Sequence, residues 1–220
     1  MVVPRARIAR WVGNFSDRHG GAQLVTRDGV LRGDAADGSW FEARLPLDAS
    51  YDGPPAADDF AEAMTAPDHW GVLLVRKGGF AVARLEGERI VESKVGQRHV
   101  QGRTKAGGQS QQRFARRRDN QARQAYEAAA GHAARILGGL DRLDQRGTAD
   151  RRRVLGHRGA VVLVTGGDHT AVEAVLDDPR LRPLADRVVG PWLAVPDPRR
   201  AVLEQAVADA LAVQVVVHNA

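Results

Sequence analysis

No cysteine occurs anywhere in the 220 residues, which excludes disulfides, thiolate metal sites and cysteine nucleophiles. Lysine stands at only three positions, Lys77, Lys94 and Lys105, and aromatic residues make up 5% of the chain. Positive charge is therefore almost all arginine, and platforms for stacking bases are scarce. No apolar run is long enough to span a bilayer. The opening residues, Met1-Val2-Val3-Pro4-Arg5-Ala6-Arg7, lack the apolar core of a signal peptide. A cytoplasmic location without a membrane partner is the resulting expectation. What is present, 43% hydrophobic and 27% charged residues, describes an ordinary globular chain rather than a disordered one.

The net charge is only +5, but it is unevenly spread. From Lys94 to Arg123 there are nine Lys or Arg against one acid, Asp119, so this window carries +8 and the rest of the chain sums to −3. Codon bias toward arginine would act along the whole chain. Local clustering instead marks a phosphate-binding patch, and nucleic acid outweighs the alternative of a solvated arginine face.

Within this window stand two adjacent glycines, Gly107 and Gly108, followed by Gln109. Glycines permit backbone angles closed to other residues and close approach to a substrate. An uncharged amide cannot serve as a general base at neutral pH. Chemistry at Gln109 must therefore work by positioning and polarisation, with the amide or a backbone N–H orienting a water and stabilising an oxyanion. Such a tip on a basic stalk suits hydrolysis of an ester carried on a large polyanion. Residues 101–108 have no apolar anchor and predict a mobile loop. Behind it a long helix is expected over Ser110–Leu137, capped by Ser110. Its buried stripe comprises Phe114, Ala122, Ala125, Tyr126, Ala129, Ala133, Ile136 and Leu137. Arg113, Arg116, Arg117 and Arg123 fall on a polar, cationic face. With Arg103, Lys105 and Arg118 they form the candidate RNA-binding set.

Elsewhere, Ile8, Trp11, Val12 and Phe15 recur at helical spacing over residues 5–18. Short strands follow at 23–26, 30–32 and 40–45, separated by the turn pairs Asp28-Gly29 and Asp37-Gly38. A Pro/Gly/Asp-rich stretch, 52–59, leads into a short helix expected at Phe60–Met64. Strands at 71–76, 80–85 and 89–100 read as a meander. After a polar linker, 141–158, come strand 160–165, a helix capped by Asp168 through Leu176, strand 188–195, helix 199–211 and strand 213–217. This order predicts an α/β fold in which the closing strands join the meander in one mixed sheet flanked by helices. Residues 1–66 read as an N-terminal helix and β-hairpin segment, and 67–220 as the α/β catalytic core, together one compact domain.

Rival chemistries leave weaker traces. Gly166-Gly167-Asp168 lacks the spacing and lysine of a phosphate loop and reads as a capped turn. The seven histidines form no His-x-x-x-His or His-x-His pair, so neither a metal nor another cofactor is called for. No Gly-x-Ser-x-Gly elbow is present. The adjacent acids Asp58-Asp59 and Asp177-Asp178 read as solvated caps rather than a two-metal site.

The run Gly107-Gly108-Gln109-Ser110-Gln111-Gln112-Arg113-Phe114-Ala115-Arg116-Arg117-Arg118, the block Trp40-Phe41-Glu42-Ala43-Arg44-Leu45-Pro46 and the closing strand–helix pairs resemble the actinobacterial branch of the Vms-like release-factor and peptidyl-tRNA hydrolase family. That family is similar to the catalytic middle domain of class-one eukaryotic and archaeal release factors. The resemblance implies a ribonuclease H-like α/β core and a Gly-Gly-Gln loop that enters the peptidyl-transferase centre. It also implies hydrolysis of the peptidyl-tRNA ester on stalled large ribosomal subunits, without a stop-codon reader. The partners would be the large subunit, its rRNA and peptidyl-tRNA, met by a monomer. Gly107, Gly108 and Gln109 then carry catalysis. Eukaryotic Vms-like relatives place the active glutamine in a Gly-Ser-Gln setting, which makes Gln111, after Ser110, the second choice. Two other classes stay open: a non-catalytic ribosome- or RNA-binding factor, and a metal-dependent nuclease on a ribonuclease H-like core.

Overall fold

The computed structural model describes residues 1–97, 123–140 and 161–220. Short apolar-alternating segments punctuated by glycine turns give strands, and the amphipathic stretches give helices. The order is β1 (Val2–Val3), α1 (Arg5–Arg18), β2 (Ala22–Arg27), β3 (Val30–Ala35), β4 (Trp40–Arg44), α2 (Ala57–Glu62), β5 (Trp70–Arg76), β6 (Gly79–Glu86) and β7 (Arg89–Gln97). Then come α3 (123–140), β8 (Val162–Gly167), α4 (His169–Leu176), α5 (Arg182–Ala185), β9 (Val188–Leu193), α6 (Arg200–Ala210) and β10 (Val213–His218).

Among the described residues the strands form two five-stranded sheets. One is antiparallel, in the order β1-β10-β4-β3-β2; the other is mixed, in the order β7-β6-β5-β8-β9. The fold is α/β, as expected, but the expectation that all the closing strands join the meander is corrected for the last of them. Strands β8 and β9 do extend the meander, parallel to β5. Strand β10 instead crosses to the N-terminal strands and pairs antiparallel with β4 and β1. Its apolar run matches either sheet, and pairing partners of such a strand are not encoded in its own period.

Strict alternation on β5 explains the layering. Trp70, Val72 and Leu74 point into a core shared with α1, α2, α6 and the antiparallel sheet, while Leu73 and Val75 point to the opposite face, where α3 and α4 pack. Both faces are covered, so the strand reads as a continuous apolar run. In the first core Phe41 meets Trp11 and Phe15 edge-on, with ring centroids 5.1 and 5.0 Å apart.

The Asp28-Gly29 turn joins Arg27 to Val30 with positive φ at both residues, 52° and 78°, as a two-residue hairpin requires. The short helix before β5 begins earlier than expected, at Ala57, and carries Asp58 and Asp59 in its first turn, where carboxylates favour the helix dipole.

Candidate functional site

The predicted catalytic triplet Gly107-Gly108-Gln109, its second choice Gln111, and the basic residues Arg103, Lys105, Arg113, Arg116, Arg117 and Arg118 lie outside the described residues. Their frame is described. Strand β7 ends at Gln97, and α3 is described from Arg123. Gln97 and Gln124 line the same cavity, of about 150 Å³, together with Val75, Arg76, Gly96 and Tyr126. The two ends of the candidate segment therefore meet at one place on the mixed sheet.

The seat is built from small residues on the helix and large ones on the sheet. Ala129, Ala130, Ala133, Ile136, Leu137 and Leu140 are buried against Leu73, Val75, Val82 and Leu163. Alanines let the helix lie close. At Gly71, a Cβ would stand 2.8 Å from the Leu137 side chain, so the sheet yields space there too. The expected stripe is present at Ala129, Ala133, Ile136 and Leu137, with Ala125 and Tyr126 half-buried. Ala130 and Leu140 also belong to it. The helix runs on past Leu137 because Leu140, one turn later, has its own place in the core. Arg123, the one predicted RNA contact among the described residues, is exposed, in keeping with a polar face.

Where β7 ends, the Phe80 ring stacks on His132 of α3 at 5.5 Å and lies over Gly96, so closely that a Cβ there would meet the ring at 2.2 Å. Gly96→Val should displace Phe80 from the helix. An overpacking cost of about 1–3 kcal/mol is expected, read as a lower melting temperature. Arg135 on α3 pairs with Glu92 on β7, tying the helix to the departing strand. This seat was not anticipated as part of the site. Its only sequence signal is a lone glycine, Gly96, at the start of the basic window, where a strand pattern normally wants a side chain.

At the neighbouring strand end, Asp168 sits at the N-cap of α4 and its N–H donates to the Val75 carbonyl at 2.8 Å. The expected side-chain cap is not formed. The carboxylate instead accepts from the Thr170 hydroxyl at 2.8 Å. That bond, helped by the charge of Lys77, holds the Asp168 carboxyl below its ordinary range. An ionised acid at this helix start repels phosphate, which speaks against a phosphate loop, but the expected turn is corrected: Gly166 and Gly167 belong to β8, which runs directly into the N-cap Asp168. Burial, and then the Asp168 charge, push the Tyr126 hydroxyl above its usual value, so it stays protonated and available as a donor. Arg76, beside the cavity, donates to the Val195 carbonyl at 2.8 Å and stands 3.6 Å from Asp197. Among the described residues no group of three His, Asp or Glu is placed to hold a metal ion, and no helix is long and apolar enough to cross a membrane.

Comparison with known proteins adds an independent line. The family model of the Actinobacteria/chloroflexi VLRF1 release factor matches residues 68–216, which include the seat and the whole basic window. Among solved structures, the chain is similar to the archaeal translation termination factor aRF1, with 14% identity, 81% of this chain and 48% of that chain covered, and a TM-score of 0.38. It is also similar to a structure described as an archaeal protein, with 14% identity, coverage of 79% and 48%, and a TM-score of 0.34. The chain spans about half the length of these structures. No curated protein matches.

Proposed function

The chain belongs to the Actinobacteria/chloroflexi VLRF1 release-factor family, and from that premise we propose that it hydrolyses the ester of peptidyl-tRNA on stalled large ribosomal subunits. The observation that carries this reading is a Gly-Gly-Gln triplet heading an arginine run, inside the family-matched stretch and between chain ends that meet at one cavity. In the proposed reaction water attacks the ester carbonyl, and the bond to the terminal ribose oxygen of the tRNA breaks. The peptide leaves with a new carboxyl group and the ribose hydroxyl recovers a proton. Gly107 and Gly108 let the backbone approach the ester, while Gln109 orients the water and polarises the carbonyl. The acting form is a cytoplasmic monomer that needs no cofactor.

The test is release of labelled peptide from peptidyl-tRNA on isolated large subunits by the purified chain. Release that depends on the chain supports the reading. Tight binding with no release would assign the chain to the non-catalytic class of ribosome-binding factors. Magnesium-dependent cleavage of RNA would assign it to nucleases.

The basic run should hold RNA by charge rather than by reading bases, since Phe114 is the only aromatic residue among its arginines. Replacing Arg113, Arg116 and Arg117 together by Ala is expected to weaken binding to large subunits. The slope of log affinity against log salt should flatten by about one for each arginine. Unchanged binding at every salt concentration would make this an ordinary solvated face.

A further inference from the structure

Helix α1 lies outside the family-matched stretch, and its outer face carries a pattern of its own. Ile8, Val12 and Phe15 are buried, and Trp11 is half-buried. Arg7, Arg10, Asn14 and Arg18 are exposed and follow one another at spacings of three, four and four. They make one stripe along the solvent side, about 16 Å long at 1.5 Å per residue. Arg5 is exposed at the helix start, and Asp17 is the only acid on the helix.

Two observations separate this stripe from an arginine-rich surface in general. Outside α1, most exposed arginines among the described residues lean on a carboxylate, as Arg27 does on Asp28, Arg44 on Glu42, Arg89 on Glu86, Arg180 on Asp178 and Arg200 on Glu204. Among the described residues none of the α1 arginines has such a partner, although the neighbouring helix α2 offers Asp58, Asp59 and Glu62. The second is placement. The first turn of α1 holds Arg5 and Arg7 with no acid, and its N-cap is Pro4, which supplies no side-chain cap. Cations at a helix N-terminus oppose the dipole. The arrangement costs the fold stability and gains it nothing internally.

We propose that the outer face of α1 is a docking surface for the phosphate backbone of RNA, separate from the basic run at residues 113–118. Charge complementarity selects a polyanion. Insertion of α1 into an anionic membrane would need a free apolar face, and that face is spent in the core. Base stacking would need an exposed ring, whereas Trp11 is engaged with Phe15 and Phe41. Phosphates, met by arginine with Asn14 between, fit what remains. The choice of RNA among polyanions rests on the release-factor reading; the stripe itself does not.

The experiment measures binding of the full chain carrying Arg7→Gln, Arg10→Gln and Arg18→Gln to isolated large subunits and to a naked RNA duplex, across a salt series. Affinity is expected to fall for both, and the log–log slope to flatten by about two to three. Peptide release at saturating protein should stay unchanged. The melting temperature should stay nearly unchanged, because Arg7, which the helix dipole opposes, is removed together with Arg18, which it favours in the last turn. Should the triple variant fail to fold, Arg10→Gln alone is expected to flatten the slope by about one. Unchanged affinity and slope would overturn the proposal. Loss on subunits with none on the duplex would also overturn it, in favour of an acidic protein surface. Because the readout is binding, failure of the release chemistry leaves this test standing, and the reverse holds as well.

Discussion

Replacing Gln109 by alanine is expected to slow peptide release from large subunits roughly a hundredfold or more, while ribosome binding should stay nearly unchanged. The reasoning is differential. A polar group that orients the attacking water and stabilises the developing oxyanion acts mainly in the transition state, and losing one such group typically costs about 3–4 kcal/mol. In the proposed reading binding rests elsewhere, on arginines rather than on this amide. The amide carries no charge, so the loss should be similar across neutral pH and be insensitive to salt once the protein saturates its subunits. Single-turnover release with excess protein is the appropriate measurement. If Gln111→Ala abolishes release and Gln109→Ala does not, the role moves two residues along, to the glutamine that follows Ser110.

The second large effect is expected far from the ester. Leu137→Ala should destabilise the chain by about 2–5 kcal/mol, because its side chain is fully buried where α3 lies over Gly71. For a chain of this size that corresponds to a drop in melting temperature of roughly 4–20 °C. Thermal unfolding followed by circular dichroism checks it. Arg135→Ala provides the contrast. Its pairing with Glu92 is solvent-exposed, and exposed pairs are worth about 0–1 kcal/mol. A similar loss for both substitutions would mean that α3 is held by that pair rather than by its apolar stripe. Since α3 and β7 carry the two ends of the candidate catalytic segment, Leu137→Ala should also depress release below the melting range.

Much of this architecture is legible residue by residue. The unbroken apolar run Val72-Leu73-Leu74-Val75 marks β5 as a buried strand, and Asp28-Gly29 specifies a tight hairpin. Helix α1 declares its buried face through Ile8, Val12 and Phe15. What escaped is of another kind. Strand β1 is two residues long and exists only because β10 lies beside it, so no local pattern announces it. Likewise, the destination of β10 depends on which sheet edge is free. The one-turn helix α5, with Pro183 in its first turn, is too short to show a period. At the candidate site the Gly-Gly-Gln triplet and the basic run stand out in the sequence. The seat does not: the fit of Phe80 over Gly96 and of Leu137 over Gly71 joins residues that no spacing rule connects.

The crossing of β10 sets a schedule for the molecule's own synthesis. The amino group of Met1 donates to the carbonyl of Val215, 214 positions away, and β4 finds its second neighbour only in residues 213–218. While the chain is emerging from the ribosome that makes it, β2, β3 and β4 can form a local meander, but the antiparallel sheet stays open along one edge of β4. The apolar faces of α1 and Phe41 then lack part of their cover, since Val213 and Val215 complete that core. Contacts this distant in sequence slow folding, because a long loop must close before they reward it. A chain stalled shortly before residue 213 would hold an unfinished edge and an unsealed core, and should be conspicuously vulnerable to proteases until its last strand arrives.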